Sequence, residues 1–307
     1  MIEQKKKIVN WPEYTRSLKQ RGSLEIWIDE KVKDKWKAKA TGKRGGQIEY
    51  SEFAIQTTLM IGKVFNQRLR QTEGLVESII KIMGLDLQVP DYTTLSKRGR
   101  KLEVDLQKEE KGIVRILLDS TGLKVYGEGE WKVRKHGASK RRTWKKMHIG
   151  IDEDNEVRMV EVTSNGVDDA ETSLVMMKQE KSKIKSIKGD GAYDNRKVYE
   201  EFKPLTDEII IPPRKGARIW KHGNRKGEKL IRDENVREVR KKGLKEWKKE
   251  RGYHKRSLVE TFMYRYKIIF TDKLHARKEG QQSTEASIGC AVLNVMKRIG
   301  MPKYLLV

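Results

Sequence analysis

Apolar positions in the first hundred residues recur at helical spacing. After a polar, Trp-containing lead-in, SEFAIQTTLMIGKVFN (Ser51 to Asn66) reads as one helix. RQTEGLVESIIKIMG reads as a second, with Thr72 as its N-cap and Gly84 as its C-terminal stop. The loop LDLQVP leads to DYTTLSKRGRK, where Asp91 caps a short helix carrying Thr93, Thr94, Ser96, Lys97, Arg98 and Arg100. From Gly112 the period shortens. GIVRILLDS is a nearly continuous apolar strand ending at Asp119, and TWKKMHIGID and EVRMVEVTS form a hairpin about the turn EDN. DDAETSLVMMKQ is a helix whose acidic first turn suits the helix dipole. Then come IKSIKGDGAYD, a strand ending in the glycine-flanked Asp190, the helix NRKVYEEF, and DEIIIPPRKG, a strand closed by prolines. Three strands, helix, strand, helix, strand predict a mixed α/β sheet with helices able to cover both faces. The change of period divides the chain into a helical region, 1–110, and an α/β region, 111–307.

The segment YHKRSLVETFMYRYK, Tyr253 to Lys267, has the pattern of one uninterrupted helix. At about 100° per residue, Tyr253, Arg256, Glu260 and Lys267 share a stripe roughly 60° wide. Leu258, Val259, Phe262, Tyr266 and Ile269 fall on roughly the opposite side, so Phe262 and Ile269 are expected to face the core.

Charge adds a partner to this picture. The 307 residues hold 68 Lys and Arg against 44 Asp and Glu, a formal net charge of +24. An excess of this size points to a polyanion, nucleic acid first and an acidic membrane surface second. No apolar run is long enough to span a bilayer and the N-terminus has no hydrophobic signal segment, so a cytoplasmic, nucleoid-associated protein is expected. Cys290 is the single cysteine, which excludes an intrachain disulfide and a cysteine zinc cluster, and the five histidines form no HxxxH pair. Half of the excess, a net of +12, lies between Arg214 and Arg256, with Trp220 and Trp247 interleaved. Trp247 reads as a residue docking its helix, while Trp220 is open to stacking on a base. A second basic run, Val133 to Lys146, links the first two strands and offers Arg141 and Arg142 to DNA. Residues 72–101 have the outline of a helix-turn-helix whose recognition helix, Tyr92 to Lys101, would present Lys97, Arg98 and Arg100. The competing reading is a plain solvated helix, since the connection is longer than usual.

Three acids are placed to share a cation. Asp119 and Asp190 end strands and Glu260 lies on the polar stripe, so folding alone could gather them. Hard cations such as Mg²⁺ or Mn²⁺ relieve the repulsion among such carboxylates, and a pair of ions forms a clamp for phosphodiester chemistry. A strand-end aspartate that merely caps a turn is the alternative for each, and Arg256 with Glu260 could be an ordinary i,i+4 ion pair. Asp194 reads as the cap of NRKVYEEF, Asp168 and Asp169 as first-turn acids, His148 as a structural histidine, and Ser120 and Thr121 as turn formers.

Together these motifs place the chain in known company. Tyr253, Arg256, Glu260 and Lys267 reproduce the Y-x2-R-x3-E-x6-K signature of bacterial insertion-sequence transposases of the DDE class. With LLDSTGLKVYGEGEWKVRKHG and GDGAYDNR, the chain resembles insertion-sequence family five from about Ser51 to the C-terminus. The resemblance implies a ribonuclease H-like, retroviral-integrase-like core. It implies Asp119, Asp190 and Glu260 as catalytic carboxylates holding two Mg²⁺ or Mn²⁺ ions, and Tyr253, Arg256 and Lys267 as DNA-binding residues. It further implies binding to terminal inverted repeats, cleavage there and joining of 3′ ends to target DNA. Two-ended chemistry calls for a homodimer or larger synaptic complex. A nuclease or resolvase on the same fold and a non-catalytic DNA-binding regulator remain as alternatives.

Overall fold

The computed structural model describes all residues except 1–5, 30–31, 41, 43–44, 126–143, 222–229 and 307. Arg141 and Arg142 therefore lie outside the described residues, as does most of the basic run that holds them. The chain divides into two compact units, one made of Met1–Gln107 with Lys278–Val307 and the other of Lys108–Arg277. The first unit thus takes up the C-terminal thirty residues, which the change of period had grouped with the α/β region.

The first unit starts with strand β1 (Lys6–Ile8) and helices α1 (Trp11–Arg21), α2 (Val32–Trp36), α3 (Glu52–Val64), α4 (Leu69–Ile82) and α5 (Tyr92–Arg98). Ser51 caps α3 by accepting the Ala54 N–H at 3.0 Å. Helix α4 begins earlier than its sequence suggests. Thr72 is a buried residue inside it, not its cap, and Arg68 holds the cap position. Thr72 packs where Gly62 of α3 has no side chain; a Cβ there would lie 2.3 Å from the Thr72 hydroxyl oxygen. Gly84, in the left-handed region at φ +64°, ends the segment as expected.

The second unit is built on one sheet: β2 (Ile113–Val125), β3 (Trp144–Asp152), β4 (Val157–Ser164), β5 (Lys183–Lys188), β6 (Ile209–Ile210) and β7 (Lys273–Leu274). Its strands run in the order β4-β3-β2-β5-β6, with β7 paired to the far end of β2. The β2-β3 and β3-β4 pairs are antiparallel, whereas β5, β6 and β7 join in parallel, which makes the sheet mixed. Helices α6 (Asp169–Met177) and α7 (Arg196–Phe202) cover one face. There Ile116, Leu118 and Met159 pack with Met176, Tyr199 and Phe202 in one buried cluster. Helices α8 (Ile231–Lys242), α9 (Leu244–Glu250) and α10 (Ser257–Phe270) follow, and Trp247 and Tyr253 pack on Ile210 in a second cluster. The chain then returns to the first unit with α11 (Glu279–Ile299), which packs on α3, and β8 (Tyr304–Leu306), which pairs antiparallel with β1. Cys290 is fully enclosed in α11, and burial pushes its thiol up to about 12, so it is an inert packing group.

Three local expectations are corrected. Strand β2 does not end at Asp119: Ser120 and Thr121 pair with His148 and Met147 in the ladder, so they are strand residues and not turn formers. Asn195, not Asp194, caps α7, accepting the Val198 N–H at 2.9 Å. Tyr253–Arg256 is a turn of 3₁₀ helix preceded by Gly252 at φ +58°, and α10 starts only at Ser257. Phe262 is buried as expected, but Ile269 is 40% exposed, and its neighbour Phe270 takes the core position in the last turn of α10.

Candidate active site

Asp119 lies on β2 with its side chain on the face opposite the α6–α7 cluster, since Ile116 and Leu118 belong to that cluster and side chains alternate. Leu117 pairs with Lys188 of the parallel neighbour β5. Strand β5 ends at Lys188, and Asp190, two residues past it, is near enough for its charge to act on Asp119. Burial raises the Asp119 carboxyl above the usual range, and the charge of Asp190 adds to this against the pull of the Ser120 N–H and Arg256. The Ser120 N–H donates to Asp119 Oδ1 at 2.8 Å, leaving Oδ2 as the oxygen turned to other partners.

Asp190 is held by its own loop. Its Oδ1 accepts the Ala192 N–H at 2.8 Å and caps the turn Gly191–Tyr193. Gly189 is needed just before it, because a Cβ there would meet the Tyr193 ring at 2.8 Å. The Arg214 guanidinium donates to the carbonyls of Gly191 and Ala192, both at 3.0 Å. Asp194 completes the clasp by accepting the Arg214 backbone N–H at 3.0 Å and Arg232 Nε at 3.1 Å.

Glu260 reaches the same region from α10. Arg256 Nη1 donates to Asp119 Oδ2 at 2.5 Å while Nη2 donates to Glu260 Oε1, so one guanidinium bridges acids from opposite ends of the unit. The i,i+4 pair is real, and the Asp119 contact makes it more than local. Lys267 Nζ donates to Thr121 Oγ1 at 2.6 Å, two residues beyond Asp119 on the same strand face. Tyr253 is only 9% exposed; its ring supports the Arg256 guanidinium at 5.8 Å and Lys248 Nζ at 4.9 Å. It is a packing residue in this arrangement, not a ring presented to solvent.

The candidate donors are three carboxylates, a residue type that suits hard divalent cations. Among the described residues no three His, Cys, Asp or Glu side chains, Asp119, Asp190 and Glu260 included, are gathered closely enough to hold a metal ion. The positive charge joining Asp119 to Glu260 is that of Arg256.

Other predicted residues sort themselves by contact. In α5 the hydroxyls of Thr93 and Thr94 donate to Asp91, and Arg98 is tied to the Tyr50 carbonyl and Glu52, while Lys97 and Arg100 are exposed. Trp220 is no open stacking platform: the Arg232 guanidinium lies 4.1 Å from its ring centroid and Tyr199 meets it edge-on. Trp247 is fully buried. His148 is buried too, with Nε2 2.8 Å from Thr163 Oγ1 and Nδ1 3.2 Å from Asp169, and burial lowers its pKa. The sequence reading missed Thr121, Arg214 and Arg232. Nothing distinguished the two arginines within a segment of 18 cations, whereas Thr121 could have been found by continuing the strand pattern past Asp119.

Among the described residues no helix is long and apolar enough to cross a membrane. A family model described as a transposase DDE domain matches residues 110–295, and a second of the same description matches residues 19–128. The first match alone spans more than half of the chain and contains Asp119, Asp190, Arg256 and Glu260, and on that ground the protein belongs to the DDE transposase family.

Proposed function

We propose that this transposase serves an insertion sequence of family five, binding the terminal inverted repeats, cleaving at the element ends and joining the freed 3′ ends to target DNA. Its mixed sheet, with Asp119 within β2 and Asp190 just past the end of the parallel neighbour β5, is read as ribonuclease H-like. Asp119, Asp190 and Glu260 are the residues that would hold two Mg²⁺ or Mn²⁺ ions. Bound there, such ions supply a Lewis-acid clamp for in-line displacement at phosphorus. The chain's own groups do the rest. The Ser120 N–H and the clasp of Arg214 and Asp194 fix the two aspartates, and Lys267, anchored on Thr121, sets a positive charge two residues along β2 where a phosphate of the scissile strand can rest. In cleavage, water attacks the phosphodiester and leaves a 3′-hydroxyl on the element end. In joining, that hydroxyl attacks a target phosphodiester and displaces its 3′ oxygen. Because two ends and one target must meet, the working form is read as a homodimer or larger assembly on DNA.

The observation that carries this reading is the bridge from Asp119 through Arg256 to Glu260, with Asp190 near enough for its charge to act on Asp119. Asp119→Asn, Asp190→Asn and Glu260→Gln proteins are expected to bind end-containing DNA and to lose Mg²⁺-dependent nicking and joining. Undiminished cleavage by all three would refute the assignment. Products longer than the input separate a transposase from a hydrolytic nuclease on the same scaffold.

A further inference from the structure

We propose that Arg256 competes with divalent cations for Asp119 and Glu260, so that metal loading requires the guanidinium to leave and the arrival of a DNA phosphate helps it do so. The inference rests on the reading of those acids as metal ligands. It starts from three features of the geometry. One planar guanidinium spends its two terminal nitrogens on two carboxylates, and its side chain is only 17% exposed. Asp119 Oδ1 accepts the Ser120 N–H, and Arg256 holds its other oxygen, Oδ2. A Mg²⁺ ion about 2.0 to 2.1 Å from these carboxylate oxygens would set a divalent charge against the guanidinium that already neutralises them, so the two cations compete for the same pair of acids.

The rest of the Arg256 side chain is less firmly committed. Its Nε is buried without a hydrogen-bond partner, and the guanidinium rests against the Tyr253 ring. A phosphate offers the planar fork two oxygens at once, a better match than two acids on separate elements. The exposed Glu260, 55% accessible, is free to swing once released. Phosphate and metal would therefore favour each other's binding through one residue, and by linkage the effect is reciprocal. A site of this kind stays closed to metal until substrate is in place, which restrains nicking by protein that is not engaged on DNA.

The decisive measurement is the sign of a change in metal affinity. Mn²⁺ is titrated into the full-length protein without DNA, and free Mn²⁺ is read by electron paramagnetic resonance, for wild type, Arg256→Gln, Arg256→Lys and Asp119→Asn. Arg256→Gln is expected to bind Mn²⁺ about tenfold more tightly than wild type, which corresponds to about 1.4 kcal/mol. Arg256→Lys, a point charge unable to grip both acids, should fall between the two. Asp119→Asn should bind more weakly than wild type. If Arg256→Gln binds no better than wild type while Asp119→Asn is weakened, the competition is overturned and the metal site stands. If Asp119→Asn binds as well as wild type, the metal assignment fails and the competition with it. Should circular dichroism show Arg256→Gln to be unfolded, Arg256→Lys decides: no gain in Mn²⁺ affinity overturns the proposal.

Discussion

Asp194→Asn tests how the loop carrying Asp190 is held. Asp194 and Arg232 are almost wholly buried, with side chains 1% and 4% exposed. The substitution keeps the shape but removes the charge, and turns an amide N–H₂ toward either Arg232 or the Arg214 N–H. Breaking a buried pair from one side typically costs about 3 to 5 kcal/mol, because the remaining charge is stranded. Here Arg232 keeps the Arg218 carbonyl and Asp233 at 3.5 Å. Asp233, however, already accepts the Trp220 and Lys221 N–H groups at 2.9 and 2.8 Å. The lower end of the range, about 3 kcal/mol, is therefore expected. Urea unfolding of the full chain measures the loss, and hydrogen exchange at Gly191–Tyr193 should speed up in the same variant. A double variant with Arg232→Met removes the stranded charge and should recover about 1 kcal/mol or more relative to Asp194→Asn. A loss below about 1 kcal/mol, or strict additivity in the double variant, would show that the clasp is not held by this pair.

Glu180 gives a pH-dependent prediction. Burial raises its carboxyl, but the bidentate hydrogen bonds from Arg158 and those from Ser182 outweigh this and bring it down to about 2. A depressed acid contributes stability at pH values above its unfolded pKa and loses it as pH falls through the folded one. About 3 kcal/mol should thus disappear between about pH 4.5 and pH 2, and Glu180→Gln should flatten that part of the stability curve. An unchanged slope in that window would refute the pairing. In the first unit, Lys97→Gln should weaken DNA binding and make it less salt-dependent, whereas Arg98→Gln, cutting the ties to Tyr50 and Glu52, should act mainly by lowering stability. Filter binding across a salt series checks the first, and thermal melting the second.

The candidate site was legible in part because the acids proposed for it are residue types that stand out from their surroundings. An aspartate after an apolar run, or a glutamate on a stripe opposite Phe262, breaks a pattern and is noticed. What could not be read was set by partners far away in the chain. Ser120, Thr121 and Gly122 look like a turn by local preference, but β3 pairs with all three and holds them extended. Gly122 serves there because Trp144 crosses it; a Cβ would lie 3.1 Å from the indole. The exposure of Ile269 has a different cause. The buried stripe of α10 runs through Val259, Phe262, Met263, Tyr266 and Phe270, and between two adjacent apolar residues in the last turn the period alone did not decide that Phe270 would take the core position. Arg256 shows the opposite case: the sequence suggested a neighbourly pair with Glu260, and the same guanidinium also reaches Asp119 on β2.

The return of the chain into its first unit has a consequence in time. Strand β1 waits for β8 and α3 for α11, so the unit that begins first is finished last. Some 170 residues separate Gln107 from Lys278, a stretch that takes roughly 10 to 30 s to synthesise. During that interval the intervening α/β unit emerges with its strands already contiguous, while α3 lacks the helix that covers it. A nascent or prematurely terminated chain thus carries the candidate catalytic acids up to Glu260 without a completed first unit. Whatever work falls to that unit waits until Lys278–Val307 has emerged.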